Sequence, residues 1–387
     1  MKILKENLLE NLYLTSFSLF FIFNFIDRHI ANIFLLITLF LCLINYKKIY
    51  ETVITNKVLV ICILIFSCYI SFIGYYHHSP IRELDNYFRF LLLLPLLVIS
   101  FDEKRMIKII TLCAFAGLMN FVYFYIFSGL NIVRFSGPTS VAITYANMCA
   151  TLFIICMYYM FYKGVKSKLL FTSAIIFLGL LILTGTRGPI IGIFVSLVYI
   201  SYELFKTSID KKKFTQPIII LLIFLISITS ISNPLGERIK EMSKINLSEP
   251  MQIENKSIRQ RFYYLYYGID RLQDNYLVGI GPQNIIIDMK QSLEGKEKYG
   301  IFPKDHLHNE FLDISVKFGL MSLVLLFLIY LLIIKSKDIK QKVLLNIVMI
   351  MLISSQLTQS HLSHHQAITF FIVLIYILLA KPKTYNL

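Results

Sequence analysis

The sequence carries little charge for its length. Only 16% of its 387 residues are charged, whereas 57% are hydrophobic and the mean hydropathy is +0.68. A soluble domain of this size cannot bury so much apolar surface. The apolar residues form repeated runs of about 15–22 residues, the length that crosses a bilayer as a helix. We therefore expect an all-α polytopic membrane protein.

The sequence also lacks CxxC cysteine pairs and a small-residue cleavage site after its first apolar run. None of the six cysteines has CxxC spacing and all lie inside apolar runs, which predicts buried small hydrophobic residues, with neither a disulfide framework nor a metal site. They are Cys42, Cys62, Cys68, Cys113, Cys149 and Cys156. The first apolar run has no small-residue cleavage site and another run follows at once, so we expect a retained helix.

The apolar runs predict about twelve transmembrane spans with one large polar loop between spans 9 and 10. This divides the chain into residues 1–232 (spans 1–9), 233–310 (a loop with short helices) and 311–387 (spans 10–12). The short turn at 185–188 predicts a tight hairpin, because forty membrane residues are too many for one helix. The spans are 12–27, 30–45, 57–74, 88–101, 106–128, 141–162, 169–185, 189–205, 214–232, 311–334, 342–357 and 366–380.

Lysine and arginine are distributed unequally over the two sides of this topology. Lysines dominate one set of loops and both termini, which predicts cytoplasmic termini and an external, periplasmic 233–310 loop in a two-membrane bacterium. In a membrane protein the net charge of +15 is therefore explained by lysine-rich cytoplasmic loops that orient the chain in the bilayer, and it does not indicate nucleic-acid binding. The short external loops contain no lysine, but they do contain Arg28, Arg82, Arg89, Arg134 and Arg187. A guanidinium group pairs two phosphate oxygens at once, so a bound anion would account for these arginines.

Two arginine motifs are candidates for such an anion site. In TGTRGP (184–189), glycines allow a tight turn and Arg187 precedes a helix N-terminus, where a phosphate could bind. In SIRQRFYYLYYGIDR (257–271), Arg259 and Arg261 precede an aromatic helix expected near the membrane interface. The alternatives are a snorkelling arginine at a hairpin tip and a basic amphipathic helix on anionic lipid.

The segment HLHNEFLDISVKFG (306–319) supplies a candidate base. His308 lies where the polar loop re-enters the membrane, and an imidazole there can accept a proton from a sugar hydroxyl near neutral pH. We expect Glu310 or Asp313 to orient it and Asn309 to lie beside it. The i, i+2 spacing of His306 and His308 disfavours a helical zinc pair.

Three further features are weaker candidates. RFSGP (134–138) places Arg134 in another external loop, with an acceptor-contacting role. Arg89 begins an apolar run, where a charge is costly and usually has a partner. The cluster HLSHH (361–365) has no accompanying cysteine or clear carboxylate, so we interpret it as a polar loop and not as a metal site.

Three of these motifs, in this order, resemble the bacterial O-antigen ligases, in the superfamily that also contains the O-antigen polymerases. They are the arginine of the TxTR turn (Arg187), the arginine before an aromatic helix (Arg261) and the HLHNE histidine (His308). The segment DNYLVGIGPQNI (274–285) also looks like the family's PxxGxGxxxF stretch, with Tyr276 in place of proline and Ile285 where an aromatic is common.

The resemblance implies a GT-C-like glycosyltransferase of the bacterial inner membrane with its active site facing the periplasm. The donor would be a glycan on undecaprenyl diphosphate and the acceptor a sugar hydroxyl of lipid A–core. Arg187 and Arg261 would neutralise the diphosphate and His308 would act as general base, with Arg259, Arg134, Arg89, Asn309 and Glu310 as substrate-binding residues. Direct attack in one displacement would invert the anomeric centre. The external loops offer no DxD-like pair and the chain has no GxxxxGK[ST] loop, so we expect transfer that needs no metal, nucleotide or other cofactor.

Two alternatives stay open at this stage. An O-antigen polymerase would use the same donor with a second lipid-linked glycan as acceptor, although HLHNE favours the ligase. A transporter of lipid-linked glycans would place ionisable groups within the spans, commonly in internal repeats. Here the polar residues gather at one interface instead.

Overall fold

The computed structural model describes residues 2–128, 135–139, 141–207, 256–295, 299–336 and 341–380, together with positions 215 and 219. Within these residues the protein is helical and contains no strand, as the composition predicted. The helices are α1 (Lys2–Phe23), α2 (Arg28–Ile44), α3 (Tyr46–Thr55), α4 (Lys57–Tyr76), α5 (Ile81–Leu84), α6 (Arg89–Leu92), α7 (Glu103–Ser128), α8 (Ala142–Met157), α9 (Lys168–Leu183), α10 (Gly188–Thr207), α11 (Lys256–Asp274), α12 (Asn284–Ser292), α13 (Glu310–Phe318), α14 (Leu320–Lys335), α15 (Lys342–Gln356) and α16 (His365–Leu379).

The bundle is built around α16. Every residue from Gln366 to Leu379 is buried, and α6, α8 and α15 all pack against this helix. A helix that is apolar on all sides avoids water only in the middle of a protein. The last predicted span is therefore a central helix that is not exposed to lipid.

The outer helices expose large apolar side chains. Phe40 on α2, Phe72 on α4 and Phe127 on α7 are 65%, 63% and 73% exposed. Among the described residues, four helices are long and apolar enough to cross a membrane, or five if the pair α2 and α3, bent by 88°, is one span. Six shorter apolar helices accompany them. An apolar surface on this scale fits a polytopic membrane protein.

Most predicted spans coincide with a helix to within a few residues, but three details differ. The span 88–101 is broken into α6 and a 3-10 turn, Leu94–Val98, since Pro95 cannot donate a backbone hydrogen bond. The span 311–334 is broken at Gly319, which separates α13 from α14. Helix α3 was not expected. The predicted span 214–232 lies outside the described residues.

The polar segment before α13 forms a second, smaller core. Three tyrosines of α11, Tyr263, Tyr264 and Tyr267, are buried against α12 and the loop that precedes α13, whereas Tyr266 is exposed. Arg271 joins α11 to α12 through Asp288, with Nε 2.6 Å from Oδ2. The aromatic helix thus turns its tyrosine-rich face towards protein, and its position near the membrane interface stays a prediction.

The GxG stretch attaches this smaller core to the bundle through backbone contacts. The amide of Ile280 donates to the carbonyl of Val316 at 2.8 Å, and that of Leu320 donates to Tyr276 at 2.8 Å. Gly279 and Gly319 have φ values of +66° and +82°, and a Cβ at either would approach backbone atoms to 2.6 and 2.0 Å. Only glycine permits both the left-handed conformation and this close approach.

All six cysteines are free, in agreement with the absence of CxxC spacing. Five are buried as predicted, but Cys68 is exposed. It lies on α4 next to Ser67, which is buried, so it occupies the outward face of that helix. The prediction of burial is wrong for Cys68 because an apolar run does not reveal which face of a lipid-exposed helix points outward.

Candidate active site

His308 lies in a constrained turn directly before α13. Its φ of +56° is in the left-handed region, which residues with a side chain seldom adopt. The next residue, Asn309, caps α13 by accepting from the amide of Leu312 at 3.0 Å, and its own amide donates to the carbonyl of Leu357 at 3.2 Å. The turn is thus fixed to the start of one helix and to the end of another.

The ring of His308 is oriented by Gln359. Nδ1 lies 2.7 Å from Oε1 of Gln359, whose Nε2 lies 2.7 Å from Nε2 of His364. An amide oxygen only accepts, so Nδ1 carries the proton and donates. The neutral tautomer that this selects has its lone pair on Nε2 of His308.

The ring of His308 makes three further contacts, and in one of them a lysine lies at the Nε2 lone pair. Nζ of Lys304 lies 3.0 Å from Nε2 of His308. The ring stacks on Tyr264 of α11 at 5.7 Å between centroids, and His306 meets it edge-on at 4.7 Å. We call these five residues, His308, Gln359, Lys304, Tyr264 and His306, the His308 cluster.

The surroundings of His308 disfavour its protonation. Burial lowers the pKa of His308 to about 3, and electrostatic interactions with His306, Lys304 and Arg261 act in the same direction, against the hydrogen bond with Gln359. The imidazole is therefore neutral at physiological pH. A neutral imidazole with a defined Nε2 lone pair is the form that accepts a proton.

The carboxylates of the HLHNE segment stabilise the backbone around the His308 cluster. Asp313 accepts from the amide of Leu307 at 2.8 Å through Oδ1, and its Oδ2 lies 2.8 Å from Nζ of Lys317 in a buried ion pair. Glu310 accepts from the amide of Leu362 at 2.6 Å. The expectation that Glu310 or Asp313 orients His308 is wrong. Asp313 binds the backbone of the loop before α13 and Glu310 that of the loop before α16, whereas Gln359 orients the ring.

Arg261 lies near this cluster, on the exposed side of α11. Its charge lowers the pKa of both Lys304 and His308, which places the three groups within electrostatic reach of one another. Arg261 precedes Tyr264 by nearly one helical turn, and Tyr264 stacks on His308. Arg259, two residues earlier on α11, is partly buried.

The TGTRGP turn reaches the same region from the bundle side. It forms the predicted hairpin, with α9 ending at Leu183 and α10 beginning at Gly188, and Gly185 takes a φ of +61°. A Cβ at Gly188 would lie 2.7 Å from Oγ1 of Thr358, the residue before Gln359. Arg187, partly exposed in this turn, thus lies next to the loop that orients His308.

The other candidate residues lie elsewhere or are used differently. Arg89 pairs with Asp85, with Nη2 2.8 Å from Oδ2, which is the partner its position called for. Arg134 lies outside the described residues. Glu310 is fully buried, and both Asn309 and Glu310 bind backbone groups of the protein.

The HLSHH segment connects α15 to α16, as the polar-loop interpretation predicts, but part of it is buried. His361 is fully buried with Nε2 2.6 Å from Oγ of Ser355, and His364 contacts Gln359. In the part of the chain that the structure describes, no group of three or more His, Cys, Asp or Glu side chains could hold a metal ion. Sequence reasoning missed Gln359 and Lys304. The signal that marks Gln359 is the polar run QLTQSHLSHH, which directly follows an apolar helix.

This is a polytopic helical membrane protein in which a neutral, oriented histidine lies among cationic side chains at the junction of two loops. Residues 172–327 match the family model described as O-antigen ligase, so this part of the chain is similar to that family, in agreement with the resemblance seen in the motifs. The matched range contains Arg187, Arg261 and His308. A comparison with curated proteins finds no match. The family supports a ligase- or polymerase-type glycosyltransferase that acts on lipid-linked glycans.

Proposed function

We propose that this protein is an O-antigen ligase proper, which transfers a glycan from undecaprenyl diphosphate to a sugar hydroxyl of lipid A–core. The observation that carries the proposal is the contact of His308 with Gln359. It gives His308 the tautomer of a general base, and burial keeps the ring neutral beside the arginine-bearing helix α11.

The reaction is a single displacement at the anomeric carbon. The acceptor oxygen attacks C1 of the donor sugar while the bond from C1 to the phosphate oxygen breaks, and undecaprenyl diphosphate leaves with the electron pair. The hydroxyl proton passes to Nε2 of His308. Attack from the face opposite the leaving group inverts the anomeric centre. General-base assistance of this kind contributes about 10²–10⁴ in rate.

Arg187 and Arg261 would stabilise the charge that develops on the diphosphate. Guanidinium groups remain charged and pair two oxygens at once, so they can act as fixed cations where many glycosyltransferases use a divalent metal. Two contacts support this role, since Tyr264 of α11 stacks on His308 and Gly188, directly after Arg187, lies against Thr358, the residue before Gln359. Arg259 would assist from α11, and Arg89 and Arg134 would contact substrate.

We further propose that the site faces the periplasm of the inner membrane and that both termini are cytoplasmic, on the basis of the lysine bias in the loops. Deleting the gene and separating lipopolysaccharide on a gel tests the function. Loss of a ligase leaves core without polymer while lipid-linked polymer accumulates. Core that instead carries a single repeat unit would identify the protein as the polymerase.

A further inference from the structure

Nε2 of His308, the nitrogen that would accept the proton from the sugar hydroxyl, is already hydrogen-bonded to a neighbouring side chain. Nζ of Lys304 lies 3.0 Å from Nε2 of His308. An ammonium group has only donors, so Lys304 donates and the lone pair of Nε2 is the acceptor. A lone pair that accepts this hydrogen bond is not available to a sugar hydroxyl until Lys304 moves.

We infer that Lys304 is a donor-sensing residue that caps Nε2 of His308 and gives up this contact when it binds an oxygen of the donor's diphosphate. The inference rests on the proposed function. It assigns Lys304 two linked tasks, which are to hold the base inactive and then to bind the leaving group. Donor binding would thus switch on the base before the acceptor reacts.

The chemistry favours this exchange of partners. A phosphate oxygen carries negative charge, so it attracts the ammonium group of Lys304 by direct charge–charge interaction, which the neutral imidazole of His308 does not offer. Lysine is a compact charge on a flexible four-carbon stem, so it can move between acceptors a few ångströms apart. Arg261 lies three residues before Tyr264 on α11, and Tyr264 stacks on the ring that Lys304 contacts, so a diphosphate held by Arg261 would also be close to Lys304.

The charges that face His308 from each neighbouring element explain why an anion would activate it. Its own loop contributes Lys304 and His306, and α11 contributes Arg261 beside the uncharged Tyr264. The loop opposite contributes Gln359, which is neutral. The carboxylate of Asp305 is turned to the other histidine, with Oδ1 2.7 Å from Nδ1 of His306.

The groups facing the ring are therefore neutral or cationic, and a diphosphate would add the negative charge that stabilises a protonated His308. Binding of the anion offsets the charges of Lys304 and Arg261 and so raises the affinity of His308 for a proton. The same event frees the lone pair and makes it more basic. This predicts an ordered reaction in which the donor binds first.

Two measurements that need no turnover test the inference on the purified full-length protein. The first is the rate at which diethyl pyrocarbonate modifies His308, followed by mass spectrometry of the peptide. This reagent attacks a free imidazole lone pair. The second is the affinity for inorganic pyrophosphate, measured by calorimetry. The variants are Lys304→Met, Lys304→Arg and the matched control Lys290→Met, since Lys290 is an exposed lysine on α12 of the same small core.

In Lys304→Met we expect His308 to be modified about tenfold faster and pyrophosphate to bind about tenfold more weakly, because one charge-assisted hydrogen bond is lost in each case. Lys304→Arg should retain most of both properties, which also shows that the position tolerates substitution. Lys290→Met should match the wild type. Equal modification of His308 in Lys304→Met and Lys290→Met overturns the cap, and equal pyrophosphate affinity overturns the link to the donor. If the wild type fails to transfer glycan to lipid A–core while both measurements behave as expected, the proposed function is wrong and the switch stands.

Discussion

Nδ1 of His308 donates to Oε1 of Gln359 across 2.7 Å, although the two residues are 51 positions apart in the sequence. This hydrogen bond fixes which ring nitrogen carries the proton. It plays the part that a carboxylate plays beside many catalytic histidines, but an amide sets the tautomer without adding negative charge.

Replacing Gln359 by leucine should therefore lower kcat about 10²-fold with little change in KM for the donor, because the base loses its orientation while the phosphate-binding cations remain. Gln291→Leu on α12 is the matched control, since Gln291 is exposed. Gln359→Glu should keep activity and shift the acid limb of the pH profile upward, because a carboxylate stabilises the imidazolium. Identical kinetics for Gln359→Leu and Gln291→Leu would show that the amide has no role in positioning the base.

Removing either proposed clamp or the base should abolish ligation without preventing membrane insertion. We expect Arg187→Ala and Arg261→Ala each to lose about 10²–10³ in rate, and His308→Ala about 10²–10⁴. Transfer to lipid A–core by purified protein measures the effect, with Arg82→Ala as the control, because Arg82 is exposed on the short helix α5. Full activity in any of the three variants removes that residue from the mechanism.

Chelation should leave the reaction unchanged. The proposal assigns the neutralisation of the diphosphate to arginine side chains, which hold their charge without a metal. The measurement is the transfer rate before and after dialysis against EDTA. A loss of activity that magnesium restores would show that a cation shares the work of Arg187 and Arg261.

The buried histidines beside the site should make the folded protein sensitive to acid. Burial lowers the pKa of His361 to about 3 and that of His364 to about 4, from an ordinary value of 6.5. Between pH 6.5 and about 4 the unfolded chain binds more protons than the folded one, so the free energy of unfolding falls as the pH decreases. Thermal unfolding in detergent should show a lower midpoint at pH 5 than at pH 7.

The matched variants for this prediction are His361→Gln and His29→Gln, since His29 is exposed on α2. His361→Gln should reduce the difference between the two midpoints, even if it lowers stability at both pH values. His29→Gln should leave the difference as it is in the wild type. A pH dependence that is the same in all three proteins would exclude His361 as a source of the acid sensitivity.

The glycine contacts between the small core and the bundle should tolerate no side chain. In Gly319→Ala the new methyl group would lie 2.0 Å from the carbonyl oxygen of Leu277. The GxG stretch that carries Leu277 must therefore separate from the end of α13. Gly295→Ala is the control, because Gly295 also has a positive φ, +72°, but open space around it. We expect the control to lose about 1–2 kcal/mol from the left-handed conformation alone. Gly319→Ala should yield much less folded protein in size-exclusion chromatography. Equal yields for the two variants would show that the close backbone contact at Gly319 is not needed for folding.

Much of the helical architecture could be predicted from the sequence because the bilayer imposes a simple rule on composition. Helix α4 and helix α10 begin and end within a few residues of the predicted spans, since a long apolar run has to satisfy its own backbone. The breaks at Pro95 and Gly319 were harder to foresee. The break at Gly319 depends on the close approach of Leu277 from a neighbouring segment, and hydropathy does not record such a contact.

The same division holds for the site. The sequence by itself identified His308, Arg261 and Arg187 as candidates, because charged and titratable residues at the edges of apolar runs are costly unless they have a purpose. Only the tertiary structure decided that Gln359 and Lys304 hold the two nitrogens of the ring, and that Glu310 and Asp313 hold the backbone instead. Those assignments depend on distances between segments far apart in the chain, and a tautomer is set by the atoms that lie within hydrogen-bonding distance, whatever their order in the sequence.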